Sequence, residues 1–206
     1  MPKTEAPLAA LQQYIPAAAA PKILAYLQHY SIHLTVTRSR QTVLGDYRHA
    51  TKTQPHRISV NGDLNPFSFL ITLIHEIAHL LTFNQHQHSV QPHGKEWKAI
   101  YAHILSSFLD PAVFPEDIII ALKKSLHNLP ASSCSDESLM RVLRQYDPQK
   151  GLVLVEQLQT GDLFKIKGGR VFKRGEKIRK RYQCQEVETQ KWYLFSGLYE
   201  VKKVDV

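Results

Sequence analysis

The residues with the plainest capacity for chemistry are His75, Glu76 and His79, in the run Leu-Ile-Thr-Leu-Ile-His-Glu-Ile-Ala-His at positions 70–79. A helix turns about 100° per residue, so positions four apart share a face. Two imidazoles spaced in this way can hold one zinc ion from a single helix. Glu76, next to the first of them, is aimed at the ion's open coordination position. Zinc held by three protein ligands lowers the pKa of its bound water to about 7. Glu76 can accept that proton and relay it to a leaving amine, which makes amide hydrolysis the implied reaction and one catalytic Zn2+ per chain the implied cofactor.

A bare His-Glu-x-x-His match also arises by chance. Here Ile71, Leu73, Ile74, Ile77, Ala78, Leu80 and Leu81 make the helix apolar on nearly every side, which predicts burial. Two histidines and a glutamate in a buried helix are costly unless something pairs with them, and a metal does so. Asn65 and Pro66 suit the N-cap and the first helical position.

A third ligand must come from downstream, where His86, His88, His93, Glu96 and His103 lie. The metzincin spacing requires Gly at position 82 and His at 85, but these are Thr82 and Gln85. Glu96 would fit a gluzincin pattern. His93 fits better, because Pro92 and Gly94 predict a tight turn that leaves His93 at the lip of a following helix. His86 and His88 sit in a polar loop and read first as solvated residues, with either open as an alternative to His93.

His-Glu-x-x-His, a loop, then His-Gly-x-x-Trp resembles the SprT-like metalloproteases, which include the eukaryotic protease Spartan. The resemblance covers residues 34–108. It implies a zincin-like metalloprotease domain with His75, His79 and His93 as zinc ligands and Glu76 as catalytic base. It also brings a departure from the family pattern. SprT-like proteins often end in a four-cysteine zinc ribbon, whereas here Tyr182-Gln183-Cys184-Gln185 echoes one knuckle, its partner is missing with Glu at position 186, and no second pair follows. A structural zinc site needs four ligands, so the expectation is a metal-free β-module held by Phe164, Phe172, Tyr182, Trp192, Tyr193 and Phe195.

The elements that must position this chemistry read as α+β. Residues 17–30 predict a packing helix. Residues 32–38, 45–49 and 57–60 predict strands, the last ended by Asn61-Gly62-Asp63. A small antiparallel or mixed sheet followed by the active-site helix is the zincin order. The strand at 56–60 is therefore expected to be the edge that aligns a substrate chain, through Ile58, Ser59 and Val60, with an ordinary structural strand as the equal alternative. Residues 96–109 predict a second helix, on which Trp97 packs under the third-ligand turn. Tyr101 is a candidate for stabilising an oxyanion, with core packing as its simpler role. Helices at 116–127 and 138–146 flank a Pro/Ser-rich loop at 128–135. Beyond it the character changes to short β-runs at 152–158, 171–173, 178–182, 191–195 and 198–204. The expected organisation is an N-terminal helical segment at 1–30, a catalytic domain at 31–150 and a small basic β-domain at 151–206.

The net charge of the 206-residue chain is +8, and residues 163–182 alone carry +8. Lys165, Lys167, Arg170, Lys173, Arg174, Lys177, Arg179, Lys180 and Arg181 stand there against Glu176, so the basicity is a local patch. With Phe172 and Tyr182 nearby, the patch is expected to hold DNA or another polyanion. A solvated charged face is the plainer alternative. The resemblance to Spartan, which acts on proteins crosslinked to DNA, suggests DNA-associated proteins as substrates. The competing function is a catalytically silent nucleic-acid-binding protein on a metalloprotease-like scaffold.

Two cysteines, Cys134 and Cys184, argue against a secreted disulfide framework and for a cytoplasmic chain, nucleoid-associated if it binds DNA. Pro2, Pro7, Pro16 and Pro21 interrupt the N-terminus, unlike a signal peptide. No run has the ~18 uninterrupted apolar residues of a membrane span. The expected partner is a protein or peptide substrate, and the expected state is a monomer.

Overall fold

A computed structural model describes residues 8–40, 42–127, 136–148 and 151–204. The chain is mixed α+β and divides into two compact units, Met1–Asp147 and Pro148–Val206.

The first unit is built round one long helix, α2 (Pro66–His86). Asn65 caps it, its Oδ1 accepting from the backbone N–H of Phe67 at 3.1 Å and of Ser68 at 2.9 Å. Pro66 occupies the first turn, where no intrahelical donor is needed. The other end of the Asn65 amide donates to the Leu143 carbonyl at 2.9 Å and to Asp147 Oδ1 at 2.6 Å, which ties the start of α2 to the end of α5 (Glu137–Arg144). Phe69, Leu70, Ile71, Leu73, Ile74, Ile77, Ala78 and Leu80 are all buried. By length and composition α2 could cross a membrane, but its apolar faces are covered by this unit's own elements.

Around α2 pack α1 (Ala20–His29), α3 (Lys95–Ser106), α4 (Glu116–His127) and α5, in one continuous apolar core with a three-stranded sheet. Ile23 and Leu27 of α1 belong to that core, and a 3-10 turn at Ala17–Ala19 leads into α1. The expected loop at 128–135 lies outside the described residues.

The sheet contains β1 (His33–Thr37), β2 (Gly45–Arg48) and β3 (Arg57–Asn61) in the order β1-β3-β2. β3 runs parallel to β1 and antiparallel to β2. Ile58 and Val60 turn into the core, while Arg57 and Ser59 alternate to the opposite face. This corrects the expectation that residues 56–60 form the substrate-aligning edge. β3 is central, with both of its backbone edges already paired. The chain enters β3 between two strands laid down earlier, so sequence proximity to α2 did not mean an outer position. The antiparallel edge strand is β2.

The second unit is a six-stranded antiparallel sheet in the order β4-β9-β5-β6-β7-β8. Its strands are β4 (Val153–Leu154), β5 (Leu163–Lys165), β6 (Val171–Ile178), β7 (Arg181–Glu186), β8 (Trp192–Ser196) and β9 (Glu200–Val204). Val155, Leu158, Phe164, Phe172, Tyr182, Cys184 and Val201 are buried together, with Tyr193 and Phe195 packed against them. Trp192 is not part of this core. It lies 55 % exposed on the other face of β8, because Tyr193 and Phe195 take the inward positions of a period-two strand. Residues 178–182, expected as one strand, are a hairpin. Ile178 pairs with Arg181 across a two-residue turn whose first residue, Arg179, has φ of 55°. Only Val153 and Leu154 of the run at 152–158 are strand; a 3-10 turn at Val155–Gln157 follows.

Candidate metal centre

His75 and His79 project from consecutive turns of α2. His93 comes from the turn before α3, where its backbone adopts φ of 58°, in the left-handed region. Such conformations cost of order 1 kcal/mol or more and persist where the surroundings hold them. The surroundings here are the Gln91–Gly94 turn, closed by Gly94 N–H donating to the Gln91 carbonyl at 2.9 Å. A Cβ at position 94 would lie 2.9 Å from that carbonyl oxygen, so the turn admits glycine through close approach.

The three Nε2 atoms converge. They are 3.2 Å apart between His75 and His79, 3.0 Å between His79 and His93, and 3.1 Å between His93 and His75. A tetrahedral zinc with bonds of ~2.0–2.1 Å separates its ligand nitrogens by about 3.3 Å. An imidazole N–H points along its ring bisector, so protons on three mutually adjacent nitrogens would all point at one centre and give no linear hydrogen bond. A cation at that centre satisfies all three lone pairs. Burial first, and the neighbouring histidines second, hold His75 down to about 3. Burial and His93 hold His79 down to about 4, and burial lowers His93. The imidazoles are therefore neutral and able to ligate at ordinary pH. Three histidines thus stand placed to hold a metal ion, compatible with zinc.

Trp97 forms the wall behind them. Its ring centroid lies 4.6 Å from His75, 5.2 Å from His79 and 4.7 Å from His93. Tyr101 stacks on Trp97 at 4.9 Å and comes within 5.7 Å of the His75 ring, buried in the core. His86, half-buried, and His88, exposed, stay outside the cluster; His88 packs on Phe83 and on His49. Glu96 sits in the first turn of α3 against Lys95 Nζ at 3.8 Å.

Glu76 is buried, and its carboxyl is pushed up to about 8, by burial first and by Asp46 second, against the opposing pull of Arg40. It lies over β2. A Cβ on Gly45 would meet Glu76 Oε1 at 2.6 Å and Glu76 Cγ at 2.9 Å. Sequence reasoning gave Gly45 no role. The available signal was a glycine inside a strand, which often marks close approach of another group. Ile58, Ser59 and Val60, on the central strand, are not at an edge.

In the second unit the nine basic residues separate into two groups. Arg170 is tied inward: its Nε donates to Glu186 Oε1 at 2.5 Å, and its guanidinium covers the rings of Phe172 at 5.0 Å and Tyr193 at 4.8 Å. Arg174 donates to Thr160 Oγ1 and lies 4.5 Å over the Tyr182 ring. These two are structural. Lys165, Lys167, Lys173, Lys177, Arg179, Lys180 and Arg181 are exposed, though Lys177 also lies 5.6 Å from the Tyr182 ring. Lys173 pairs with Gln185, which pairs with Trp192, so a lysine and an exposed indole share the outer sheet face.

A helix carrying His-Glu-x-x-His, completed by a histidine from the next turn, beside a small mixed sheet, forms a candidate metal centre. Residues 25–117 match the SprT-like family model. Protein SprT of Glaesserella parasuis serovar 5 (strain SH0165) is 34 % identical over 82 residues, which are 38 % of this chain and 52 % of that protein. The chain thus spans about half the length of the curated relative it matches. No solved structure matches it. Over residues 25–117 the chain is similar to the SprT-like family.

Proposed function

We propose that the first unit is a zinc-dependent endopeptidase of zincin-like build. The observation that carries this is the convergence of three neutral imidazole nitrogens to 3.0–3.2 Å next to a buried glutamate. His75, His79 and His93 would hold the ion, which when bound supplies Lewis acidity toward a peptide carbonyl and acidifies water. With a cation bound beside it to favour the carboxylate over the neutral acid, Glu76 would accept a proton and deliver it to the leaving amine. β2 supports substrate alignment, since its outer edge is free of strand partners among the described residues and Gly45 on it abuts Glu76. An extended peptide added to that edge would bring its backbone past the glutamate.

The second unit would recruit DNA, so that proteins associated with or crosslinked to it become the substrates. The exposed lysines and arginines would contact phosphates, and Trp192 would offer a stacking surface.

The test combines elemental analysis with cleavage of an unstructured protein, with and without single-stranded DNA. One zinc per chain is expected in the wild type. Glu76→Gln should keep that zinc and lose cleavage by about 10²–10⁴-fold, the usual worth of a proton-transfer group. Unchanged cleavage in Glu76→Gln would remove Glu76 as the base. Absence of cleavage alongside salt-sensitive DNA binding would favour a catalytically silent binding protein.

A further inference from the structure

The face of the first unit's sheet turned away from α2 holds a second chemistry. A cavity of about 270 Å³ opens there, lined among others by Arg40, Arg48, Arg57 and Asp46. The register explains the cluster. Asp46 is opposite Ser59 and Arg48 opposite Arg57, all four on the side away from the core, and Arg40 arrives from the β1–β2 connection. Three guanidiniums against one carboxylate leave this pocket at +2.

The three arginines differ in how far the protein already engages them. Arg40 is fixed as a wall, donating from Nε to Asn61 Oδ1 at 2.8 Å and from its terminal nitrogens to Ser59 Oγ at 3.0 Å and the Ser59 carbonyl at 3.3 Å. Arg48 is half neutralised by Asp46 at 3.0 Å and remains largely exposed. Arg57 has a buried Nε–H with no partner among the described residues. An orphaned guanidinium donor is expensive, and a multivalent oxyanion is the ligand whose geometry a guanidinium fits in pairs of hydrogen bonds. Ser59 Oγ accepts from Arg40, so its own proton is left to donate, and Thr35 adds a second hydroxyl to the lining.

We infer that this pocket binds a phosphate group of the monoester or free-ion type. A carboxylate would balance one of the two excess charges and offer two acceptor oxygens. A phosphodiester would balance one as well. A phosphomonoester or inorganic phosphate carries about −1.5 to −2 near neutrality and offers three or more acceptors, which matches both the charge and the number of donors. The cavity holds such a group with several waters, each taking ~30 Å³. Two sources share this chemistry: a small soluble phosphate, and the terminal phosphate of a nucleic-acid strand.

The experiment titrates the full chain with inorganic phosphate while following the arginine Nε–H signals by NMR. It is repeated with a short single-stranded oligonucleotide carrying or lacking a 5′ phosphate. Arg57→Gln and the more exposed Arg48→Gln are compared with the wild type, with thermal melts as the check on folding. Saturable binding of inorganic phosphate is expected, with a shifted Arg57 Nε–H and at least tenfold loss of affinity in either folded variant. Tighter binding of the phosphorylated strand that Arg57→Gln abolishes would make the source a strand end. Inorganic phosphate binding with no preference between the two strands would make it a soluble phosphate. Absence of saturation by any phosphate probe, or unchanged affinity in both variants, overturns the inference. The readout is anion binding, so it is independent of whether the metal centre cleaves peptides.

Discussion

Single atoms decide whether Glu76 can work. Its carboxylate occupies the space a side chain at position 45 would need, with Oε1 only 2.6 Å from where a Cβ would sit. Gly45→Ala must therefore move the glutamate, the strand, or both. We expect Gly45→Ala to keep its zinc and to lose roughly 10²-fold in cleavage, since a shift of about 1 Å in a reacting group costs about that much. Zinc loss comparable to a ligand variant would show instead that the helix has been displaced. The His75–His79 pair was legible in the sequence because i,i+4 spacing converts directly into a shared helix face, whereas His93 rested on the turn signal of Pro92 and Gly94 and on the family resemblance. Gly45 was not, because its importance comes from a neighbour 31 positions away, and no local pattern records a long-range approach. The same applies to Arg170 and Arg174. They read as free charge, and their engagement with Glu186, Thr160 and aromatic rings exists only once the sheet is folded.

Elements were readable where their period was strong and their ends were chemically marked. Asn65-Pro66 fixes the start of α2, and α4 occupies residues 116–127 as its apolar spacing predicts. Sheet order was less accessible. β3 looks like a strand from its alternation, but alternation is silent about which strands flank it, and the edge was misplaced for that reason. Trp192 was likewise counted as core on residue type, when the phase of β8 turns it outward. In the second unit β7 ends at Glu186, a buried carboxylate that Arg170 first, and Thr189 second, hold down to about 2. A carboxyl depressed on folding contributes stability that is complete above its ordinary pKa of about 4.3 and is lost as pH falls toward the folded value. The second unit should accordingly weaken progressively between about pH 4.5 and 2. Arg170→Met, which keeps the bulk over the rings, should flatten that dependence while lowering stability at neutral pH. Thermal melts across this range check it, and an unaltered acid slope in Arg170→Met would dismiss the pair as its source.

At the scale of the whole molecule, charge is segregated. The segment at 163–182 carries the entire net +8, and the remainder is neutral. This was visible before any fold was known, because charge counting needs no geometry. The structure adds which cations face solvent. Lys173→Glu combined with Arg181→Glu should weaken DNA binding and reduce the salt dependence of log Kd by roughly one unit of slope per phosphate contact removed. Binding by fluorescence anisotropy between about 50 and 200 mM salt measures it, and an unchanged slope would locate the DNA contact elsewhere.

The helix that bears His75 and His79 is also the one whose apolar faces organise the first unit's core. The proposed ion would therefore be a conformational ligand as much as a chemical one. It would bind the native first unit, and by mass action would add about 4 kcal/mol to its unfolding free energy at a thousandfold excess over Kd. Calorimetry of the intact chain should resolve two heat-absorption peaks, one for each compact unit. On adding a chelator, the peak of the first unit should slide to lower temperature while the other stays put. The protein would then report its own metal occupancy as the gap between two melting temperatures.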